Sequence, residues 1–167
     1  MACEICEKIK STNKVYEDNI IACYLSEKSV APGHLIIAPK KHYTIFEHIP
    51  KDVLSGIFSL ANTMSLVFVQ ELKTGGVNVV VNNGVSAGQA VPHSYVDVIP
   101  RSDNDGIDFS WQGKKADDSM LNKLAEKIKG VLEKKEEPEA ETKKDESEDD
   151  NFVEADDYFL KSLDRIP

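Results

Sequence analysis

Apolar and polar positions alternate in short runs over the first part of the chain, and the spacing lengthens after Pro50. The segment KVYEDNIIACYLS, residues 14–26, reads as two short strands around a turn at Glu17-Asp18-Asn19. VAPGHLIIAPKKH places a turn at Pro32-Gly33 and then a strand from His34 to Ala38. Beyond Pro50 the period is helical: Leu54, Ile57, Phe58, Ala61, Met64, Phe68 and Leu72 recur along one stripe. Proline suits the opening of a helix, and Asp52 sets negative charge at its positive end. Leu60 and Val67 widen the stripe into a second apolar face, available to a core or to a subunit interface. Gly75-Gly76 is expected to stop this helix.

The pattern then returns to strands. Val77 to Asn82 is rich in β-branched residues, NNGVSAGQA is a glycine-containing loop, and His93 to Ile99 is the next strand, closed by Pro100. Alternation in that strand turns Ser94, Val96 and Val98 to the core and His93, Tyr95 and Asp97 the other way. Residues 117–132 predict a second helix, with Leu121, Leu124, Ala125, Ile128, Val131 and Leu132 on one side. Strands and helices do not alternate as regular βαβ units. The predicted class is therefore α+β: an antiparallel sheet with two main helices.

Composition changes this picture only near the C-terminus. KKEEPEAETKKDESEDD, residues 134–150, has no aromatic or β-branched aliphatic side chain and cannot bury a core, so a disordered acidic linker is expected. Apolar residues return at 151–167, where Phe152, Phe159 and Leu163 suit a short helical docking motif for a protein partner. The predicted organisation is a domain over 1–133, a linker over 134–150 and the motif over 151–167. Most of the net charge of -9 lies behind the domain: residues 134–167 carry 13 acids and 6 bases. The body is nearly neutral and shows no basic footprint for nucleic acid or an anionic membrane. No apolar run approaches the ~20 residues of a membrane-spanning helix. Three cysteines are too few for a disulfide framework, and a reducing, cytoplasmic setting is the simplest expectation.

Several ordered blocks carry a resemblance. NNGVSAGQAVPHSYVDVIPR resembles the glycine-rich loop, His-x-His-x-His strand and Pro-Arg of the histidine-triad (HIT) superfamily of nucleotidyl hydrolases and transferases. VAPGHLIIAPKKH resembles that family's Pro-Gly-His strand and Pro-Lys-x-His, and VYEDNIIACYL its Tyr-Glu-Asp start. The resemblance covers residues 3 to about 115 and implies the HIT-like fold, a homodimer and a nucleotide or other phosphate ligand.

The triad itself is altered. The resemblance implies that the middle histidine attacks phosphorus, but this position is Tyr95, the third is Asp97, and only His93 remains. A neutral imidazole is a competent nucleophile near pH 7, whereas a phenol of pKa ~10 is mostly protonated and needs a base. Asp97, with an ordinary pKa near ~3.9, is a weak base for that task. The position after Gly-Gln, often Ser or Thr in the family, is Ala90. The ribose-holding Asp or Asn corresponds to Ser26, which cannot accept two hydrogen bonds as a carboxylate can. The implied ligand-binding residues are then Ser26, Asn82, Gly88, Gln89 and Tyr95, with Asn83 and Arg101 as further polar candidates and Trp111 as an aromatic one.

Cys3 and Cys6 form C-x-x-C, which by itself fits a redox pair, a metal site or chance. Some triad-family members carry this pair and complete a site with the histidine of Pro-Lys-x-His and the first triad histidine. The resemblance thus implies structural Zn²⁺ on Cys3, Cys6, His42 and His93, with His48 as the rival fourth ligand. Cys23, in a strand, reads as a small core residue. Three functions follow as expectations: a degenerate HIT protein that binds a nucleotide or a partner, an active nucleotidyl hydrolase or transferase using Tyr95 and Asp97, and a pure interaction adaptor.

Overall fold

The computed structural model describes residues 3–136, which fall into two compact units that divide after Ile107. The expectations for residues 137–167 lie outside the described residues. The first unit contains α1 (Glu4–Ser11), β1 (Lys14–Glu17), β2 (Ile21–Leu25), β3 (Leu35–Pro39), α2 (Lys51–Gln70), β4 (Gly76–Val80) and β5 (Val96–Arg101). The second contains α3 (Asp118–Glu136). The five strands form one sheet in the order β1-β2-β3-β5-β4, and every neighbouring pair is antiparallel. This is the expected α+β architecture.

Alternation decides which face each strand residue takes. Ile21, Cys23, Leu35, Ile37, Val96 and Val98 pack with Val53, Ile57, Leu60, Ala61 and Phe68 of α2. Close approach is possible because Gly56 faces the sheet: a Cβ there would stand 2.8 Å from Ile21 Cδ1. The opposite sheet face is covered too. Ile5 and Ile9, four apart on α1, pack against Ala22, Tyr24 and Ala38, with Ile36 and Tyr95 alongside. The sequence reading had no helix at residues 4–11. Its signal is that isoleucine pair, with Glu4 and Glu7 in the first turn and Lys8 and Lys10 in the last, which complements the helix dipole.

Several boundaries differ from expectation. α2 ends at Gln70, before the glycine pair; Lys73 adopts the left-handed region (φ 54), the Thr74 N–H bonds to the Phe68 carbonyl, and Gly76 already belongs to β4. His93 and Ser94 precede β5 rather than lying in it. After Pro92 the His93 N–H turns back to the Val91 carbonyl, and the Ser94 N–H bonds to the Tyr43 carbonyl, so ladder pairing starts at Val96. α3 runs to Glu136, through the first residues assigned to the linker, and Leu121, Leu124, Ile128, Val131 and Leu132 on it are exposed. α2 also corrects the expectation about apolar runs. It has 20 residues and a mean hydropathy of 1.5 over an 18-residue window, enough by length and composition to cross a membrane, yet its sheet-packed stripe makes it a core helix.

Candidate functional site

Two sites share α1 as a common wall. The first is a cluster of metal-ligating side chains. Cys3 caps the N-terminus of α1 and Cys6 follows one turn later, so both thiols fall on one side of the helix start. His42 comes from the segment after β3 and His93 from the segment before β5. The Ser94-to-Tyr43 hydrogen bond, 2.7 Å, clips these two segments together.

The four ligand atoms lie within 4.8 Å of one another. His93 Nδ1 is 3.5 Å from Cys3 Sγ and 3.4 Å from Cys6 Sγ, and His42 Nδ1 is 3.5 Å from Cys6 Sγ. Ordinary Zn–S and Zn–N bonds at tetrahedral angles give an S···N edge of about 3.6 Å, so the spacing fits a four-coordinate ion. The His93 ring is fully buried, and its Nε2–H donates to the Pro39 carbonyl at 3.1 Å. That bond fixes the tautomer and points the Nδ1 lone pair at the two sulfurs, as metal-binding imidazoles require. Burial, aided by nearby His42 and opposed by the Pro39 bond, pushes the His93 pKa down to about 4, so the ring is neutral at pH 7. Burial and the neighbouring Cys3 push the Cys6 thiol up, the direction that an added cation reverses. Cys3, Cys6, His42 and His93 could hold a metal. His48, the rival ligand, lies in the turn Phe46–His48 and is not part of the cluster. Cys23 is fully buried in the core, with its thiol pushed up to about 12 by burial.

The second site is a cavity of about 230 Å³ on the α1 side of the sheet. Its lining includes Ser26, His34, Tyr24, Tyr95, Asp97 and Ile5. Sheet register explains the grouping: Tyr24 pairs with Ile36 and Ile36 with Asp97, so the three stand in one row across β2, β3 and β5. At the centre His34 Nε2–H donates to Asp97 Oδ1 at 2.8 Å, and His34 Nδ1 accepts from the Val30 N–H at 3.4 Å. Both ring nitrogens of His34 are thereby engaged. Burial, then the Asp97 charge, push the Tyr95 phenol up, away from the phenolate. Burial also pushes Tyr24 up, and its hydroxyl is buried without a hydrogen-bond partner.

The cavity thus holds Ser26 and Tyr95 of the candidate ligand residues and Asp97 of the altered triad, with Tyr24 and His34 beside them. It does not bring the other expected ligand residues to this cavity. Gln89 is buried and used by the loop: its Oε1 accepts the Gly84 N–H, and its Nε2 donates to the Thr44 and Val91 carbonyls. Gly88 is exposed with φ 87, and Asn82 is half-buried outside the lining. Asn83 accepts from the Phe46 N–H and donates to Glu47. Arg101 is held by Asp105, whose carboxyl it keeps well below the usual carboxylate range, and by Asn78. Trp111, the aromatic candidate, is 86% exposed.

The chain resembles proteins of known fold and chemistry. A HIT domain matches residues 7–104. An adenylylsulfatase of Arabidopsis thaliana is 33% identical over 106 residues, 62% of this chain and 54% of that protein, so the chain spans about half of that relative's length. An adenosine 5′-monophosphoramidase of Candida albicans is 33% identical over 141 residues, 80% of this chain and 93% of that protein. The structure of a histidine triad nucleotide-binding protein from Candida albicans superposes with a TM-score of 0.72 at 31% identity, covering 80% of this chain and 99% of that one. The matched region runs from within α1 to just beyond β5 and takes in every strand of the sheet, and by that match the chain belongs to the HIT domain family.

Proposed function

We propose that this protein binds a nucleotide-type ligand in the cavity beside Tyr95 and does not turn it over by the histidine route of its family. The observation that carries this reading is the engagement of every imidazole near the cavity. His93 faces the two thiols and the Pro39 carbonyl, and His34 is bonded through both nitrogens. Among the described residues lining the cavity, no imidazole is left to attack phosphorus. The upward shift of Tyr95 weighs against the variant chemistry in which Tyr95 attacks with Asp97 as base. Similarity to the nucleotide-binding protein and the monophosphoramidase of Candida albicans supports the ligand class.

In the same reading the Cys/His cluster holds Zn²⁺, which ties α1 to the segments carrying His42 and His93 and takes no part in chemistry. Two thiolates and two imidazoles suit that ion. A second copy of the chain is the expected cover for Phe58, Leu66 and Val69, which α2 leaves exposed. Sedimentation equilibrium should then report a dimer. Residues 151–167 serve as a docking motif on the acidic linker 134–150, in a reducing cytoplasm that keeps the thiols reduced.

The test is calorimetry paired with turnover. Adenosine, AMP and adenosine 5′-phosphoramidate are titrated into zinc-loaded protein, and release of AMP from the phosphoramidate is followed. Binding of at least one of these compounds without product is the expected result. Turnover at the rate of an active relative, lost in Tyr95→Phe, would replace this reading with the tyrosine enzyme. Absence of binding by all three would leave the adaptor.

A further inference from the structure

The charges lining the cavity are distributed unevenly. Lys8 and Lys28 stand at the rim, and each is already paired: Lys8 with Glu27, and Lys28 with Glu4 at 3.6 Å. Inside, Asp97 is 9% exposed and accepts from the His34 imidazole, whose Nδ1 in turn accepts the Val30 N–H. Among the described residues the interior of this cavity holds a carboxylate and no lysine or arginine. Next to it on the same sheet row is the buried Tyr24 hydroxyl with an unmet hydrogen bond, and Ser26 and Tyr95 also bring hydroxyls to the lining. The remaining wall, Ile5, Ile36 and Val91, is apolar. The volume of about 230 Å³ lies below the ~300–1,000 Å³ of sites for larger ligands.

We infer that the cavity selects a compact, uncharged nucleoside-type ligand over its phosphate monoester, and that Asp97 is the residue that sets this preference. This rests on the nucleotide-type reading above and narrows it. A hydroxyl or amino group of the ligand can donate to Asp97 and meet the Tyr24 hydroxyl, satisfying two buried polar groups at once. A phosphate dianion meets the carboxylate of Asp97, a buried group at 9% exposure, where like charges repel more strongly than in water. The lysines at the rim offer little relief, because engaging a phosphate would release Glu27 or Glu4 beside it.

The experiment is isothermal titration of the zinc-loaded full chain with three compounds: adenosine, the uncharged 5′-O-sulfamoyl adenosine, and AMP. The sulfamoyl compound matches the phosphate in shape without its charge. It is expected to bind at least tenfold tighter than AMP. Asp97→Asn keeps an oxygen acceptor for His34 and removes the charge, and it is expected to narrow that gap by most of its extent. AMP binding the wild type as tightly as the sulfamoyl compound would overturn the inference, as would an unchanged gap in a folded Asp97→Asn. If Asp97→Asn does not fold, the wild-type ratio alone decides. Binding of AMP but not of the neutral compounds would overturn the inference while leaving nucleotide binding in place. Absence of binding by all three would remove both.

Discussion

Removing the metal from the Cys/His cluster should release α1 from the sheet and leave the rest of the domain folded. α1 buries two large side chains, Ile5 at 5% exposure and Ile9 at 7%. Burial of that kind contributes ~1.5–3 kcal/mol each, about 3–6 kcal/mol together. Fixing the backbone of an eight-residue helix costs at least about 8 kcal/mol. Apolar contact alone therefore falls short by a few kcal/mol, and a cross-link through Cys3 and Cys6 covers the difference. A metal present at a thousand times its dissociation constant contributes about 4 kcal/mol. The assay is amide hydrogen exchange by mass spectrometry at neutral pH, on zinc-loaded protein and on protein stripped by a chelator, with metal content measured in both. Amides in residues 7–12 should exchange about a thousandfold faster after stripping, while those around Ile57 and Leu60 keep their protection. Cys6→Ser should reproduce the stripped pattern. Unchanged exchange in α1 after verified removal of zinc would refute the assignment of the cluster as its anchor.

A further outcome follows from the same structure. Gly33 has φ +91, and a Cβ there would stand 3.3 Å from Pro100 Cγ with Leu72 and Phe68 behind it. Gly33→Ala should cost at least about 1–2 kcal/mol from the left-handed backbone alone, read as a lower urea midpoint with unchanged slope.

Much of the fold was legible because local pattern and tertiary role agree. Ile21, Cys23, Leu35 and Ile37 alternate as strand residues, and their inward set is the set that packs on Val53, Ile57 and Ala61. The helical period after Pro50 was equally clear. α1 carries little sequence signal, because eight residues with two isoleucines give a weak period. The metal quartet was legible by resemblance, and the four side chains do converge. The ligand residues were less so. Gln89, Asn83 and Arg101 read in the sequence as polar candidates for a ligand, and in the structure each bonds loop backbone or neighbouring side chains. A polar residue in a loop carries no sequence mark that separates these two uses. Asp97 was read as a poor base, and only the structure shows it beside His34, a contact that spans 63 positions along the chain. The apolar face at Leu121, Leu124 and Ile128 followed the same period as a core helix, and exposure is where periodicity gives no guidance.

The central claim is that no side chain here forms a covalent bond to phosphorus by the family's route. Intact-protein mass spectrometry after rapid acid-free quenching of zinc-loaded protein with adenosine 5′-phosphoramidate tests it directly. The account predicts an unmodified mass at every time point. An adenylyl adduct that forms and decays with turnover, mapped to Tyr95 or to His34, would contradict it.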